Sequence, residues 1–194
     1  YKMNENAALF FVDRNVNGSF KDKTAFIEYG NSSNSISYYD LYDQSSRLKN
    51  LFLKYNISRE DRVIILMNDV VQYPVIFWGC LKSGVIPVLL NTLLSNEIIN
   101  EIINDSRAKA VFITSNLLDT FNDLLTKNSN IQNIFEIGEN SNYVNFIDEI
   151  KKCQIESTID CSKDEVAFWL YSSGSTGQPK GVKHVHGSLQ NTYD

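Results

Sequence analysis

Apolar and polar positions along this chain alternate between a strand-like and a helix-like period. Thr24-Ala25-Phe26-Ile27-Glu28 and Ser35-Ile36-Ser37 are short strand candidates on either side of a polar turn at 30–34. Ser37 reads as a helix N-cap with Asp40 completing a variant capping box, and Leu41, Leu48, Leu51, Phe52 and Tyr55 then recur at helical spacing. Arg62-Val63-Ile64-Ile65-Leu66 is a continuous run of the kind a parallel sheet buries on both faces. The spacing predicts a helix over 72–83. Pro74 lies near its start, where a missing N–H is tolerated, and Gly84 follows in the left-handed C-cap position.

The alternation continues with a strand at 86–90, and Ser95 caps a helix that carries Ile98, Ile99, Ile102 and Ile103 on one face. That stripe reads as core packing rather than a partner interface. A strand at 110–114, a helix at 117–127 and a strand at 134–137 come next. Residues 138–163 are polar and irregular apart from a short helix expected at 144–150, and an apolar strand, Val166-Ala167-Phe168-Trp169-Leu170-Tyr171, ends the series. The fold class is therefore α/β, a parallel sheet flanked by helices on both faces. Tyr73, Phe77 and Trp78 could line an aryl pocket, but burial against that sheet is the simpler expectation, and they are not assigned as a substrate site.

The last strand runs into Ser172, Ser173, Gly174, Ser175, Thr176 and Gly177, with Lys180 shortly after. In a sheet of this class ligands bind beyond the carboxyl ends of the strands, which is where this segment falls. Its backbone N–H groups can wrap a phosphate, its glycines allow a close approach, and Lys180 adds a point charge suited to phosphate oxygens. This is not a Walker A loop, because the lysine precedes its glycine and no hydroxyl residue follows. A flexible Ser/Gly linker would also be small and polar. It would not need an apolar strand before it and Pro179-Lys180-Gly181 after it.

At 194 residues, with 43% hydrophobic side chains, the chain is long enough to bury a core and has the size of one domain. A net charge of −5 argues against nucleic-acid and acidic-membrane partners, and Asn68, Asp69, Gln72 and Lys82 interrupt the most apolar region before it could span a bilayer. The first residues do not form a signal peptide, and a cytoplasmic protein is expected. Cys80, Cys153 and Cys161 lack metal-ligand spacing, and Cys80 reads as a small buried hydrophobe. His184 and His186 form a His-x-His pair with no third ligand in view; one ring is expected to pack and the other to be solvated.

Tyr171-Ser172-Ser173-Gly174-Ser175-Thr176-Gly177-Gln178-Pro179-Lys180-Gly181 resembles the signature loop of the adenylate-forming superfamily: acyl- and aryl-CoA synthetases, peptide-synthetase adenylation domains and luciferases. Residues 6–16 look like the opening helix of its benzoate-CoA ligase branch. Val85 to Leu94 is similar to that branch's stretch before the next helix, although Leu89 and Leu90 depart from it, and Asp164 to Leu170 and Val182 to His186 fit it too. The resemblance implies that Ser172, Ser173, Gly174, Ser175, Thr176, Gly177 and Lys180 bind the β- and γ-phosphates of ATP. It implies ATP, Mg2+ and coenzyme A as cofactors or co-substrates, an aromatic carboxylate as substrate, and a place in benzoate metabolism.

It implies further that residues 1–194 are the first part of a large N-terminal domain, with the rest of that domain and a C-terminal domain beyond. Those later parts are expected to hold the motifs for adenine, ribose and magnesium, most of the acyl pocket and a catalytic lysine. No catalytic residue and no metal ligand is therefore assigned within this chain, and the isolated chain is expected to lack ligase activity. Another adenylate-forming enzyme, with a fatty-acyl or amino-acid substrate, and a non-catalytic nucleotide- or partner-binding module are the alternatives.

Overall fold

The computed structural model describes residues 4–138, 142–173 and 178–193. Helix α1 (Ala7–Phe11) is capped by Asn6, whose side chain accepts from the Ala8 N–H, and a 3-10 turn follows at Asp13–Asn15. Strands β1 (Thr24–Glu28) and β2 (Asn31–Ser37) make a separate antiparallel hairpin. The second strand is longer than its apolar pattern predicts. The turn closes tightly at Gly30, with φ of 77°, and the Asn34 side chain donates to Glu28 Oε2 at 2.6 Å, so polar residues expected in the turn join the strand. Helix α2 (Tyr38–Lys54) begins as expected, Ser37 Oγ accepting from the Asp40 N–H at 3.0 Å.

Strand and helix then alternate through β3 (Arg62–Leu66), α3 (Gln72–Ser83), β4 (Ile86–Leu89), α4 (Asn96–Ser106), β5 (Ala110–Thr114), α5 (Leu118–Lys127) and β6 (Asn133–Ile137). The expected helix at 144–150 is shorter. Val144 and Asn145 form strand β7 (Val144–Asn145) beside β6, and α6 (Phe146–Lys151) starts only after Asn145 has capped the Asp148 N–H. The last elements are β8 (Val166–Ser173), β9 (Pro179–Val185) and α7 (His186–Tyr193).

The main sheet has the order β7-β6-β5-β3-β4-β8-β9 and is parallel except for β9, which runs antiparallel to β8. Alternate residues of each strand feed two cores. Val63, Ile65 and Phe112 pack with Leu48, Phe52, Val75 and Cys80 of α2 and α3. Ile64, Leu66, Val88 and Val111 meet Ile99, Ile102 and Ile103 of α4 and Phe121 of α5, so the isoleucine stripe is core, as its period predicts. Helix α3 ends at Gly84 with φ of 72°, the left-handed cap expected from the sequence.

Lys82, on α3, is 2% exposed. Its Nζ donates to Ser46 Oγ at 2.8 Å, lies 2.5 Å from Asp13 Oδ1 and sits over the Tyr42 ring. Burial lowers its pKa from the ordinary lysine value, against the opposing pull of Asp13. A side chain that reads in the sequence as a polar interruption is thus a buried tie between α3, α2 and the 3-10 turn.

Candidate active site

Strand β4 lies on one side of β3 and β5 on the other, so the direction in which the sheet is built reverses between β3 and β4. In an open parallel sheet the crevice beyond such a reversal is where ligands bind. A cavity of about 410 Å³ opens there, lined by Asn68, Asp69 and Tyr73 after β3 and by Leu90, Asn91 and Thr92 after β4. The Asn68 side chain donates to Asn116 Oδ1 at 3.0 Å, joining the segment after β3 to the one after β5. Asn91 Oδ1 accepts from the Leu93 N–H at 2.9 Å, which fixes the segment after β4 in an Asx turn. Sequence reading missed these positions; the signal was a polar pair following each apolar strand.

Strand β8 pairs with β4 and brings its own carboxyl end to the same edge. Ala167 and Phe168, at an irregularity in the ladder, pack with residues of α1 and α3, while Trp169 and Tyr171 pack with the cluster that holds α4. The strand continues through Ser172 and Ser173, which the sequence assigned to the loop. The reason is pairing: Ser172 lies opposite Lys180 and Ser173 opposite Pro179 in the antiparallel β8–β9 ladder. Ser172 and Lys180 are both exposed. Gly174, Ser175, Thr176 and Gly177 lie outside the described residues.

The His-x-His pair is divided between two elements. His184, on β9, stacks flat on Phe168 with ring centroids 4.6 Å apart. His186 starts α7 and is buried, its Nδ1 accepting the Ala7 N–H at 3.1 Å. Burial brings its pKa down to about 4 and so keeps the ring neutral, against the opposing pull of Glu165. Neither ring is simply solvated, as one was expected to be, and the two make separate contacts, His184 with Phe168 and His186 with Ala7. Among the described residues no group of three or more His, Cys, Asp or Glu side chains is placed to hold a metal ion. Cys80, Cys153 and Cys161 are all buried, and burial raises each thiol pKa.

Tyr73, Phe77 and Trp78 are only partly buried. They pack against the core cluster, and with Phe26, Val70 and Leu89 they also line an apolar cavity of about 390 Å³ beside the polar crevice. Tyr73 faces both cavities, and burial with the Asp69 charge pushes its hydroxyl up to about 12. Among the described residues no helix is long and apolar enough to cross a membrane.

A mostly parallel α/β sheet with a topological switch point between β3 and β4 is the frame on which nucleotide-binding α/β proteins are built. The family model for AMP-binding enzymes matches residues 12–194, and the chain belongs to that family. A 4-hydroxybenzoate–CoA/benzoate–CoA ligase of Rhodopseudomonas palustris is 34% identical over 94% of this chain and 34% of its own length. A benzoate–CoA ligase of Thauera aromatica is 30% identical over 96% of this chain and 35% of its own. A crystal structure of a benzoate CoA ligase from Burkholderia xenovorans superposes with a TM-score of 0.82 at 28% identity, covering 98% of this chain and 36% of that one. The chain spans about a third of the length of the curated relatives it matches.

Proposed function

We propose that this chain is the phosphate-binding part of an ATP-dependent aryl-CoA ligase of the benzoate type, working in the cytoplasm. Ser172, Ser173, Gly174, Ser175, Thr176, Gly177 and Lys180 hold the β- and γ-phosphates of ATP. The observation that carries this reading is Lys180, exposed on β9 opposite Ser172 at the carboxyl edge of the sheet. The likeness to the two relatives named for benzoate supports the aromatic substrate.

In the first step a carboxylate oxygen forms a bond to the α-phosphorus and the bond from that phosphorus to the β-phosphate breaks. Pyrophosphate leaves with the electron pair. Such a displacement asks the protein chiefly for positioning and charge stabilisation. The ammonium of Lys180 offsets charge building on the departing pyrophosphate, and the hydroxyls of Ser175 and Thr176 donate to its oxygens. In the second step the sulfur of coenzyme A attacks the acyl carbon and AMP departs. Magnesium would arrive with the triphosphate, whose charge it offsets; the described residues offer it no cluster of ligands of their own.

The test is ATP–pyrophosphate exchange by the intact protein, dependent on added carboxylate. Benzoate and 4-hydroxybenzoate are expected to drive exchange, and acetate and long-chain fatty acids to do so poorly. Lys180→Ala is expected to lower exchange roughly 100-fold, the usual scale for removing one charge-stabilising donor. Exchange unchanged in both Lys180→Ala and Thr176→Ala would remove the role given to this segment. Preference for an aliphatic acid would move the substrate class instead.

A further inference from the structure

Lys180 stands on β9, so whatever fixes β9 against its neighbours fixes the lysine. Tyr171 on β8 is the register partner of Gly181, the next residue after Lys180. The Tyr171 ring lies so close over Gly181 that a Cβ added there would stand 3.1 Å from its Cζ and 3.2 Å from its hydroxyl oxygen. Glycine at 181 is what lets the ring cross the β9 backbone at that distance. Beyond β9 the hydroxyl donates to Asp105 Oδ2 at 2.5 Å, and Asp105 belongs to the last turn of α4. Ile99, Ile102 and Ile103 anchor that helix in the sheet's core with no exposure. Burial, then the Asp105 hydrogen bond and charge, raise the Tyr171 hydroxyl well above the ordinary tyrosine value, so it remains a neutral donor.

We propose that Tyr171 and Asp105 are positioning residues for the phosphate site: the ring clamps β9 at Gly181, and its hydrogen bond to Asp105, on the exposed side of α4, ties the start of β9, with Lys180, to a helix whose isoleucine face is buried. This rests on the reading of Lys180 as a phosphate ligand and adds the device that aims it. A lysine has a long, freely rotating stem. Fixing its backbone restricts where its ammonium can reach, so the tether acts on nucleotide affinity and leaves the carboxylate alone.

The experiment measures steady-state kinetics and thermal stability of the intact protein together. Tyr171→Phe keeps the ring and deletes the donor, while Asp105→Ala deletes the acceptor. Each is expected to raise the KM for ATP about fivefold, the scale of the net contribution of one hydrogen bond, with the KM for the carboxylate unchanged. Asp105→Asn, which still accepts, should recover most of the ATP affinity. The double variant should be no worse than either single one. Variants that melt earlier but keep the wild-type KM for ATP would assign the pair to stability alone and overturn the proposal.

A second readout is independent of catalysis. Amide hydrogen exchange at residues 180–183 is expected to speed up in Tyr171→Phe while β6 stays protected, and equal protection in both proteins would overturn the tether. If the unaltered protein shows no carboxylate-dependent exchange at all, the ligase reading fails on its own, and amide exchange still decides whether Tyr171 holds β9.

Discussion

Protonating His186 would abolish the acceptor that its Nδ1 offers to the Ala7 N–H. The folded protein resists this, with a pKa of about 4 against 6.5 for a free imidazole. The unfolded chain therefore binds the proton first as pH falls. The neutral ring's contribution to stability is complete above pH 6.5 and is lost progressively between 6.5 and about 4. The loss should approach about 3 kcal/mol, the free-energy equivalent of the shift. Urea denaturation at a series of pH values checks this against His186→Asn, whose amide oxygen can accept from Ala7 without titrating. The variant is expected to have the shallower pH dependence over that interval. At this scale the sequence was readable where a residue's neighbours along the chain decide its fate, as for Cys80 among Phe77, Trp78 and Leu81. It was not readable for Lys82, whose burial depends on Asp13 and Ser46 arriving from other elements.

Helix α3 turns into β4 through Gly84, and the left-handed backbone there is only part of what the position demands. A Cβ would stand 2.5 Å from Ile159 Cδ1 and 2.9 Å from Arg59 Cγ, because the segments before β8 and before β3 both pass the turn. Gly84→Ala is expected to destabilise by about 1–3 kcal/mol, the range for a strained αL position with crowding. Gly18→Ala, with nothing within 4 Å, should be close to neutral. Denaturant midpoints of the two variants compare them directly. The α3 cap was legible because glycine after an apolar helix has a local meaning. Strand β9 was not, since Pro179-Lys180-Gly181-Val182-Lys183 has no apolar alternation. An edge strand exposed over Lys180 to Lys183 needs none; its partner β8 supplies the pairing.

For the whole molecule, alternating strand and helix patterns disclosed a parallel sheet covered on both faces, and the Ser/Gly segment with Pro179-Lys180-Gly181 disclosed the family. The order of strands was not legible, because register between distant segments is decided by packing that no local pattern encodes. The crevice after β3 and β4 went unseen for the same reason: its walls adjoin only once β4 and β5 flank β3.

That strand order also has a consequence for how the protein comes into being. Val88 of β4 pairs with Trp169 of β8, and a long stretch of chain, including β5, α5 and β6, lies between them. Loop-closure entropy makes such a distant pairing late. As the chain leaves the ribosome, β3 to β6 can assemble while the outer edge of β4 waits unpaired, exposed to wrong partners. Pulse-labelled hydrogen exchange during refolding should find β3 and β5 protected before β8; simultaneous protection would contradict this order. The edge formed by β8 and β9, which carries Ser172 and Lys180, is then in place only after the strands from β3 to β6.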